Sequence, residues 1–176
     1  MKNLLVFWLF AVLLAGCATQ PAPDVTTHYD NFSGLRTDLL ADNLLQGGAQ
    51  PRELVWLNAS RVFENSTRYQ YFLEVTYMAR KEVGLLEIGP GTSLTLDIDG
   101  EVIEISGSGS TESSPETKEG LVQERAIYRV SKLLLQKISI AQKVSVAIKG
   151  RNGLIERDFN EENFDKFRRF VTRYGL

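Results

Sequence analysis

Alternation of apolar and polar residues dominates the chain after residue 51 and predicts β-strands. In positions 69–80 the odd positions carry Tyr, Tyr, Leu, Val, Tyr and Ala, and four of the six even positions carry Gln, Glu, Thr and Arg. Successive side chains of a strand point to opposite faces of its sheet, so this pattern predicts a strand with one buried face. Further strands are predicted at 54–63, 85–88, 121–130, 143–149 and 154–159.

A β-hairpin with a defined register is predicted around the Asp-Gly pair at 99–100. This pair is favoured in two-residue type I′ turns. A turn there places Leu96 opposite Ile103 and Leu94 opposite Ile105, with all four side chains on one face. The turn chemistry and the apolar pattern indicate the same register, which strengthens the prediction.

Two shorter segments have the apolar spacing of helices. Leucines at 39, 40, 44 and 45 predict a helix within residues 37–46, ended by the glycines at 47–48. Ser131 is a suitable N-cap for a short helix over residues 132–140.

The C-terminal segment carries the strongest helix signals in the chain. Asn160 is a favourable N-cap, and acidic residues follow it in the first turn, where they complement the helix dipole. Phe159 and Phe164 have the spacing of a hydrophobic staple. The apolar stripe of this helix comprises Phe164, Phe167, Phe170, Val171 and Tyr174.

These elements predict a mainly β domain over residues 29–176. We expect an antiparallel β-sandwich-like fold of about seven or eight strands, with a short internal helix and a C-terminal amphipathic helix. The alternative is an α+β fold with a single sheet covered by both helices. Residues 106–120 contain no large apolar side chain and predict a mobile surface loop or an open hairpin tip.

The first seventeen residues have a different character. Lys2 precedes twelve consecutive apolar residues at 4–15, a run too short to span a bilayer and typical of a signal peptide. The run ends in Leu14-Ala15-Gly16-Cys17, which resembles the lipobox of bacterial lipoproteins. This resemblance implies that residues 1–16 are a signal peptide. Signal peptidase II would recognise Leu14, Ala15 and Gly16 and cut before Cys17, which would carry the lipid and an acylated amino group.

A lipid anchor at Cys17 implies a location in the bacterial cell envelope. Several acyl chains hold a protein stably at a membrane without a spanning helix. Ala18 stands where an Asp would resemble an inner-membrane retention signal, so the resemblance favours the outer membrane, facing the periplasm. Residues 17–28 predict the lipidated cysteine and a flexible tether.

Residue types exclude several kinds of active site. The chain has one Cys and one His, so it has no disulfide framework, no Cys-based zinc site and no site that needs two histidines. His28 falls in the predicted tether. Asp97 and Asp99 resemble the start of an EF-hand loop, but Val102 stands where that loop requires Gly. We therefore predict no catalytic residue, no metal site and no cofactor.

Charge is distributed unevenly along the chain. The formal net charge is −2, which does not favour nucleic acid. Residues 97–124 hold eight acids and one base, whereas residues 125–173 hold twelve bases and five acids. A basic interaction face is predicted from Arg151, Arg157, Arg168, Arg169 and Arg173. In the alternative interpretation, the two oppositely charged blocks lie side by side and screen each other.

Three functions are compatible with these features. The first is a non-catalytic binding or assembly module, tethered to the membrane and contacting another envelope protein or an anionic envelope lipid. The second is a carrier or sensor of a lipid or another small hydrophobic ligand, which requires an apolar cavity. The third is an envelope hydrolase that uses paired carboxylates. We expect the first, and hence no enzyme.

Overall fold

A computed structural model describes residues 25–30, 33–47, 52–64, 68–114 and 120–176. Within these ranges, ten strands form two antiparallel sheets. The six-stranded sheet has the order β1-β2-β3-β4-β8-β7, and the four-stranded sheet has the order β10-β9-β5-β6. The strands are β1 (Val25–Tyr29), β2 (Arg36–Leu40), β3 (Glu53–Glu64), β4 (Arg68–Arg80), β5 (Gly91–Ile98), β6 (Glu101–Gly107), β7 (Ser110–Ser114), β8 (Leu121–Val130), β9 (Val144–Gly150) and β10 (Gly153–Asp158).

Both sheets contribute side chains to one hydrophobic core. Leu57 and Leu73 of the six-stranded sheet are fully buried, as are Leu94, Leu96 and Ile148 of the four-stranded sheet. Burial of such a side chain contributes about 1.5–3 kcal/mol relative to leaving it in water. The predicted antiparallel β-sandwich-like fold is therefore confirmed, with ten described strands rather than seven or eight.

The helix predicted within residues 37–46 is wrong. Arg36–Leu40 forms β2, which pairs with β1 on one side and β3 on the other. Asp42 then adopts a positive φ of 56°, and Leu44 forms an isolated bridge with Trp56 of β3. The two leucine pairs, at 39–40 and 44–45, fit a helix face and an interrupted strand equally well. Here pairing with two neighbouring strands decides the conformation.

Two further strands come from segments predicted to be irregular. β1 includes residues 25–28, the end of the predicted tether, because these residues pair with β2. β7 lies inside the predicted 106–120 loop and pairs with β8. Residues 115–119 of that loop lie outside the described residues.

Residues 85–88 do not form the predicted strand. The backbone N–H groups of Glu87 and Ile88 instead donate to the carboxylate of Glu124, which is buried in β8. The hydroxyl of Ser110 donates to the same carboxylate. A buried carboxylate thus replaces a strand partner and satisfies the backbone of this segment.

The hairpin register is confirmed. Leu96 pairs with Ile103 and Leu94 pairs with Ile105 across β5 and β6. Asp99 and Gly100 form the turn, both with positive φ, as a type I′ turn requires.

Both remaining helices are confirmed. Helix α1 spans Lys132–Ile140 and helix α2 spans Glu161–Arg173. Ser131 caps α1, and Asn160 forms a capping box with Asn163 at the start of α2. Phe159 and Phe164 pack edge to face with ring centres 5.3 Å apart, which confirms the staple.

Helix α1 spans the gap between the two sheets. It follows β8 directly, and the residues after its end donate backbone N–H groups to Asp99 in the β5–β6 turn. The two helices contact each other, and Nζ of Lys132 donates to the carbonyl of Gly175 at 3.1 Å. The start of α1 and the end of α2 are therefore joined.

Candidate binding groove

An open groove of about 440 Å³ lies where the segment 42–47, the start of β3 and the start of α2 meet. Its size is within the range of small-molecule and peptide-anchor pockets. Residues from all three segments line it: Asp42, Leu44, Leu45, Gln46, Gly47, Glu53, Leu54, Trp56, Asn160, Glu162 and Lys166.

One side of the groove is apolar. Leu44 pairs with Trp56 across the edge of β3, and Leu54 lies two residues before Trp56 on the same outward face of the sheet. Leu44 is 41% exposed and Leu54 is 40% exposed. An indole beside two accessible leucine side chains can bury an apolar group of a partner.

The opposite side of the groove is polar and firmly held. Nζ of Lys166 donates to the backbone carbonyl of Asp42 at 2.8 Å and to Oε1 of Glu162 at 2.9 Å. The Lys166 side chain is nearly buried, so its aliphatic stem packs under the groove while its ammonium joins α2 to the segment at 42.

Asparagine side chains lock these segments together. Nδ2 of Asn163 donates to Oδ1 of Asn43 at 2.9 Å and to the carbonyl of Leu44 at 2.8 Å. Nδ2 of Asn43 donates to the carbonyl of Leu57 at 2.8 Å. Because Asn43 and Asn163 are buried, these hydrogen bonds fix the position of α2 relative to β3 and hence the shape of the groove.

Arg157 is placed away from the predicted basic face. Its Nη2 lies 2.6 Å from Oε1 of Glu53 at the edge of the groove, and its side chain is only 12% exposed. This partly buried ion pair joins β10 to β3. Arg157 therefore has a structural contact in place of the predicted surface role.

The other predicted arginines do not form one surface. Arg151 lies in the β9–β10 turn, where its backbone N–H donates to the carbonyl of Glu87, near the Glu124 end of β8. Arg168, Arg169 and Arg173 lie on α2, whose C-terminal Tyr174 packs on Arg61 at the opposite end of the sandwich. The distance between these two places can be read along β4, where Tyr77 pairs with Glu124 and Tyr71 pairs with Arg61. Tyr77 and Tyr71 are six residues apart, which corresponds to about 20 Å along a strand.

The helix arginines are exposed on the surface of α2. Arg168 pairs with Asp165 at 3.1 Å, and the guanidinium of Arg173 lies 5.8 Å from the ring centre of Tyr174. One contact joins the two oppositely charged blocks of the sequence. Glu101 of the acidic block forms a salt bridge with Lys137 of the basic block.

A second open groove, of about 460 Å³, lies on the outer face of the four-stranded sheet. Two of the three carboxylates that line it have local partners. Asp97 accepts the backbone N–H of Gly100 at 2.8 Å, and Asp158 accepts the hydroxyl of Ser145 at 2.6 Å. These contacts shape a turn and join two strands, so we place the candidate binding site at the first groove.

Comparison with known proteins finds no match among family models, curated proteins or solved structures. Within the described residues, no three His, Cys, Asp or Glu side chains are arranged to hold a metal ion. None of the described helices is long and apolar enough to cross a membrane. The lipobox residues Leu14, Ala15, Gly16 and Cys17 lie outside the described residues.

Sequence patterns did not predict the groove. Its contacts join residues far apart in the chain, such as Lys166 and Asp42. One signal was present: Leu54 and Trp56 occupy the outward positions of a strand whose inward positions are also apolar. Outward positions of a strand that faces solvent are normally polar. Leu and Trp at two such positions therefore indicate an apolar surface patch.

Proposed function

We propose that this chain is a bacterial envelope lipoprotein, anchored through Cys17, that acts as a non-catalytic binding module for another envelope protein. The observation that carries the binding role is the groove formed by Leu44, Leu54 and Trp56 opposite Lys166. It combines accessible apolar side chains with a rigid polar wall, the combination that specific interfaces use at their centres.

The lipobox at residues 14–17 supports the anchor. The proposed processing leaves Cys17 as the first residue of the mature protein, attached to the membrane by its lipid chains. The mature protein then faces the periplasm from the outer membrane. Because the groove is open to solvent, it favours a protein segment laid into it over a lipid carried inside the domain.

The anchor is tested by the mass of the N-terminal peptide from the protein purified out of its natural producer. We expect a peptide that begins at Cys17 and carries a diacylglyceryl thioether and an amide-linked acyl chain. The Cys17→Ser variant should lack both lipids and accumulate with residues 1–16 attached. A wild-type peptide with an unmodified thiol would contradict the anchor.

The binding role is tested by chemical cross-linking in intact cells, followed by capture of the anchored protein. We expect one dominant envelope protein, and we expect Leu44→Asp and Leu54→Asp to reduce its recovery strongly. Leu154→Asp is the matched control, because Leu154 is an exposed leucine of β10 outside the groove. Equal recovery with all three variants would contradict the role of the groove.

A further inference from the structure

Helix α1 has apolar side chains on two opposite sides. Leu135 and Ile138 are fully buried in the core, whereas Leu133 is 73% exposed and Ile140 is 81% exposed. Leu133 and Ile140 are the two most exposed large hydrophobic residues among those that the structure describes. They are seven positions apart, so they lie within about 20° of each other on the helix surface. Large aliphatic side chains exposed on the outer side of a helix indicate a surface that a partner covers.

Basic residues lie on α1 and on both sides of it in the sequence. Residues 129–143 contain Arg129, Lys132, Lys137 and Lys143 and no acidic residue, in a chain of net charge −2. Lys132 and Lys137 lie on α1, Arg129 lies just before it, and Lys143 lies just after it. Basic residues beside protruding aliphatic side chains are the features of helices that lie in the surface of an anionic bilayer.

Two acidic side chains contact α1 or the residues just after it. The carboxylate of Asp99 accepts the backbone N–H groups of Gln142 at 3.0 Å and Lys143 at 2.7 Å. The carboxylate of Glu101 forms a salt bridge with Lys137. Counted together, the four basic residues of positions 129–143 and the carboxylates of Asp99 and Glu101 give a formal charge of +2.

An exposed aromatic side chain extends the same end of the sandwich. Tyr71 pairs with Val130 at the end of β8, so Tyr69 of β4 stands beside the start of α1. Tyr69 is 38% exposed and stacks on the guanidinium of Arg61. Tyrosine is favoured at the boundary between lipid headgroups and acyl chains.

We propose that the outer face of α1, centred on Leu133 and Ile140, docks on the surface of an anionic phospholipid bilayer. An anionic bilayer matches both features of this face, because the aliphatic side chains can enter the acyl layer while the basic residues contact the anionic headgroups. This inference rests on the proposed membrane location of the protein. Docking of α1 would hold the domain in one orientation on the membrane.

The anchor is within reach of this surface. Cys17 and Val25 are eight positions apart in the sequence. A chain of that length spans at most about 30 Å. β1 is separated from β8 by three strands in the sheet order. Four strand spacings correspond to about 19 Å, so a lipid at Cys17 can enter the bilayer that α1 contacts.

Vesicle binding of the unlipidated mature chain tests the proposal. The chain begins at residue 17 and carries Cys17→Ser, so that binding reports the protein surface and is independent of lipid attachment. We expect binding to vesicles of equal parts phosphatidylglycerol and phosphatidylethanolamine, and little binding to phosphatidylcholine vesicles. Replacement of both Leu133 and Ile140 by Ser should weaken binding by about tenfold or more. Lys132→Gln and Lys143→Gln should each weaken it about fivefold at low salt.

Two controls accompany the vesicle measurement. Leu154→Ser removes another exposed leucine, on β10, and should leave vesicle binding unchanged. The Leu133→Ser/Ile140→Ser and Lys143→Gln variants should keep the wild-type unfolding midpoint. The proposal is overturned by equal binding of the Leu133→Ser/Ile140→Ser variant and the wild type, or by binding that ignores lipid charge. It is also overturned if the wild type ignores vesicles but forms a dimer that the same double variant abolishes. The N-terminal peptide mass reports the lipid anchor separately.

Discussion

The guanidinium of Arg61 and the carboxylate of Asp38 form a buried ion pair, with Nε and Oδ2 2.7 Å apart. The guanidinium also lies 3.6 Å from the ring centre of Tyr174 and 4.4 Å from that of Tyr69. Burial alone would raise the pKa of Asp38, but hydrogen bonds from Thr27 and Arg61 outweigh burial and hold that pKa below its ordinary value. This cluster joins β2, β3 and the end of α2.

Replacement of Arg61 by Met should destabilise the fold by about 1–3 kcal/mol, because the buried Asp38 carboxylate then keeps only the hydrogen bond from Thr27 and the ion pair with the exposed Arg36. Arg61→Lys should recover only part of this loss, since an ammonium cannot stack flat between two tyrosine rings. Urea unfolding at pH 7 measures both changes. The Arg61→Met/Asp38→Leu double variant should be more stable than Arg61→Met alone. A double variant of equal or lower stability would contradict this role of the ion pair.

Alkaline conditions should destabilise the protein through Tyr77. Burial, with the nearby charges of Glu53 and Glu124, raises the pKa of Tyr77 from 10.0 to about 12. Between these values the unfolded chain loses the phenol proton and the folded chain keeps it, so the free energy of unfolding falls as the pH rises. The Tyr77 hydroxyl also donates to the carbonyl of Gly84 at 2.9 Å.

Tyr77→Phe isolates this effect. At pH 7 the variant should be less stable by about 1 kcal/mol because it lacks the hydrogen bond. The difference between wild type and variant should shrink as the pH rises from 10 towards 12. Urea titrations at a series of pH values measure it. A difference that stays constant over this range would contradict a raised pKa at Tyr77.

Gly150 should not tolerate a side chain. A Cβ at this position would overlap the carbonyl oxygen of Leu86, a backbone atom that cannot move freely. Gly150→Ala should therefore destabilise the protein by about 1–3 kcal/mol or more. Gly89→Ala is the matched control, since nothing lies within 4 Å of a Cβ there. Equal urea midpoints for the two variants would contradict the close contact between the Leu86 backbone and β9.

The groove depends on the amide of Asn163. In Asn163→Asp a carboxylate replaces the amide that donates to Asn43 and Leu44, so two buried acceptors lose their donor. We expect a loss of about 2–3 kcal/mol in urea unfolding. Asn160→Asp should cost little, because Asp and Asn are similarly good N-caps. If the two substitutions had the same effect, the Asn163 contacts would not hold α2 in place.

Local signals were enough to predict the best-defined elements. The Asp99-Gly100 turn and the apolar pattern around it agree, and the capping residues of α2 lie next to its phenylalanine stripe. β2 was misread because its leucines fit two conformations, and only pairing with β1 and β3 selects the strand. Glu124 was missed because its partners are backbone groups 36 and 37 positions away, which no side-chain pattern reveals.

The groove and the scattered arginines show the same limit. The positions of basic residues in the sequence do not show that Arg157 pairs with Glu53 or that Arg151 lies far from the arginines of α2. The positions of these arginines follow from how the two sheets pack together. The pattern of apolar and polar residues along the chain does not determine that packing. The tether prediction failed at residues 25–28 for a related reason, since Thr-rich segments form strands when a neighbouring strand is available.

The proposed binding of an envelope protein in the groove is best tested inside the cell. A photo-reactive amino acid at position 54, incorporated in living cells of the natural producer, probes the groove directly. Position 83 is the control, because Val83 is 42% exposed and Leu54 is 40% exposed, but Val83 lies outside the groove. We expect light to yield one envelope-protein adduct from position 54, none from position 83, and none from position 54 when Cys17→Ser removes the anchor. Adducts of equal yield from both positions, or none from position 54 in the anchored protein, would contradict binding through the groove.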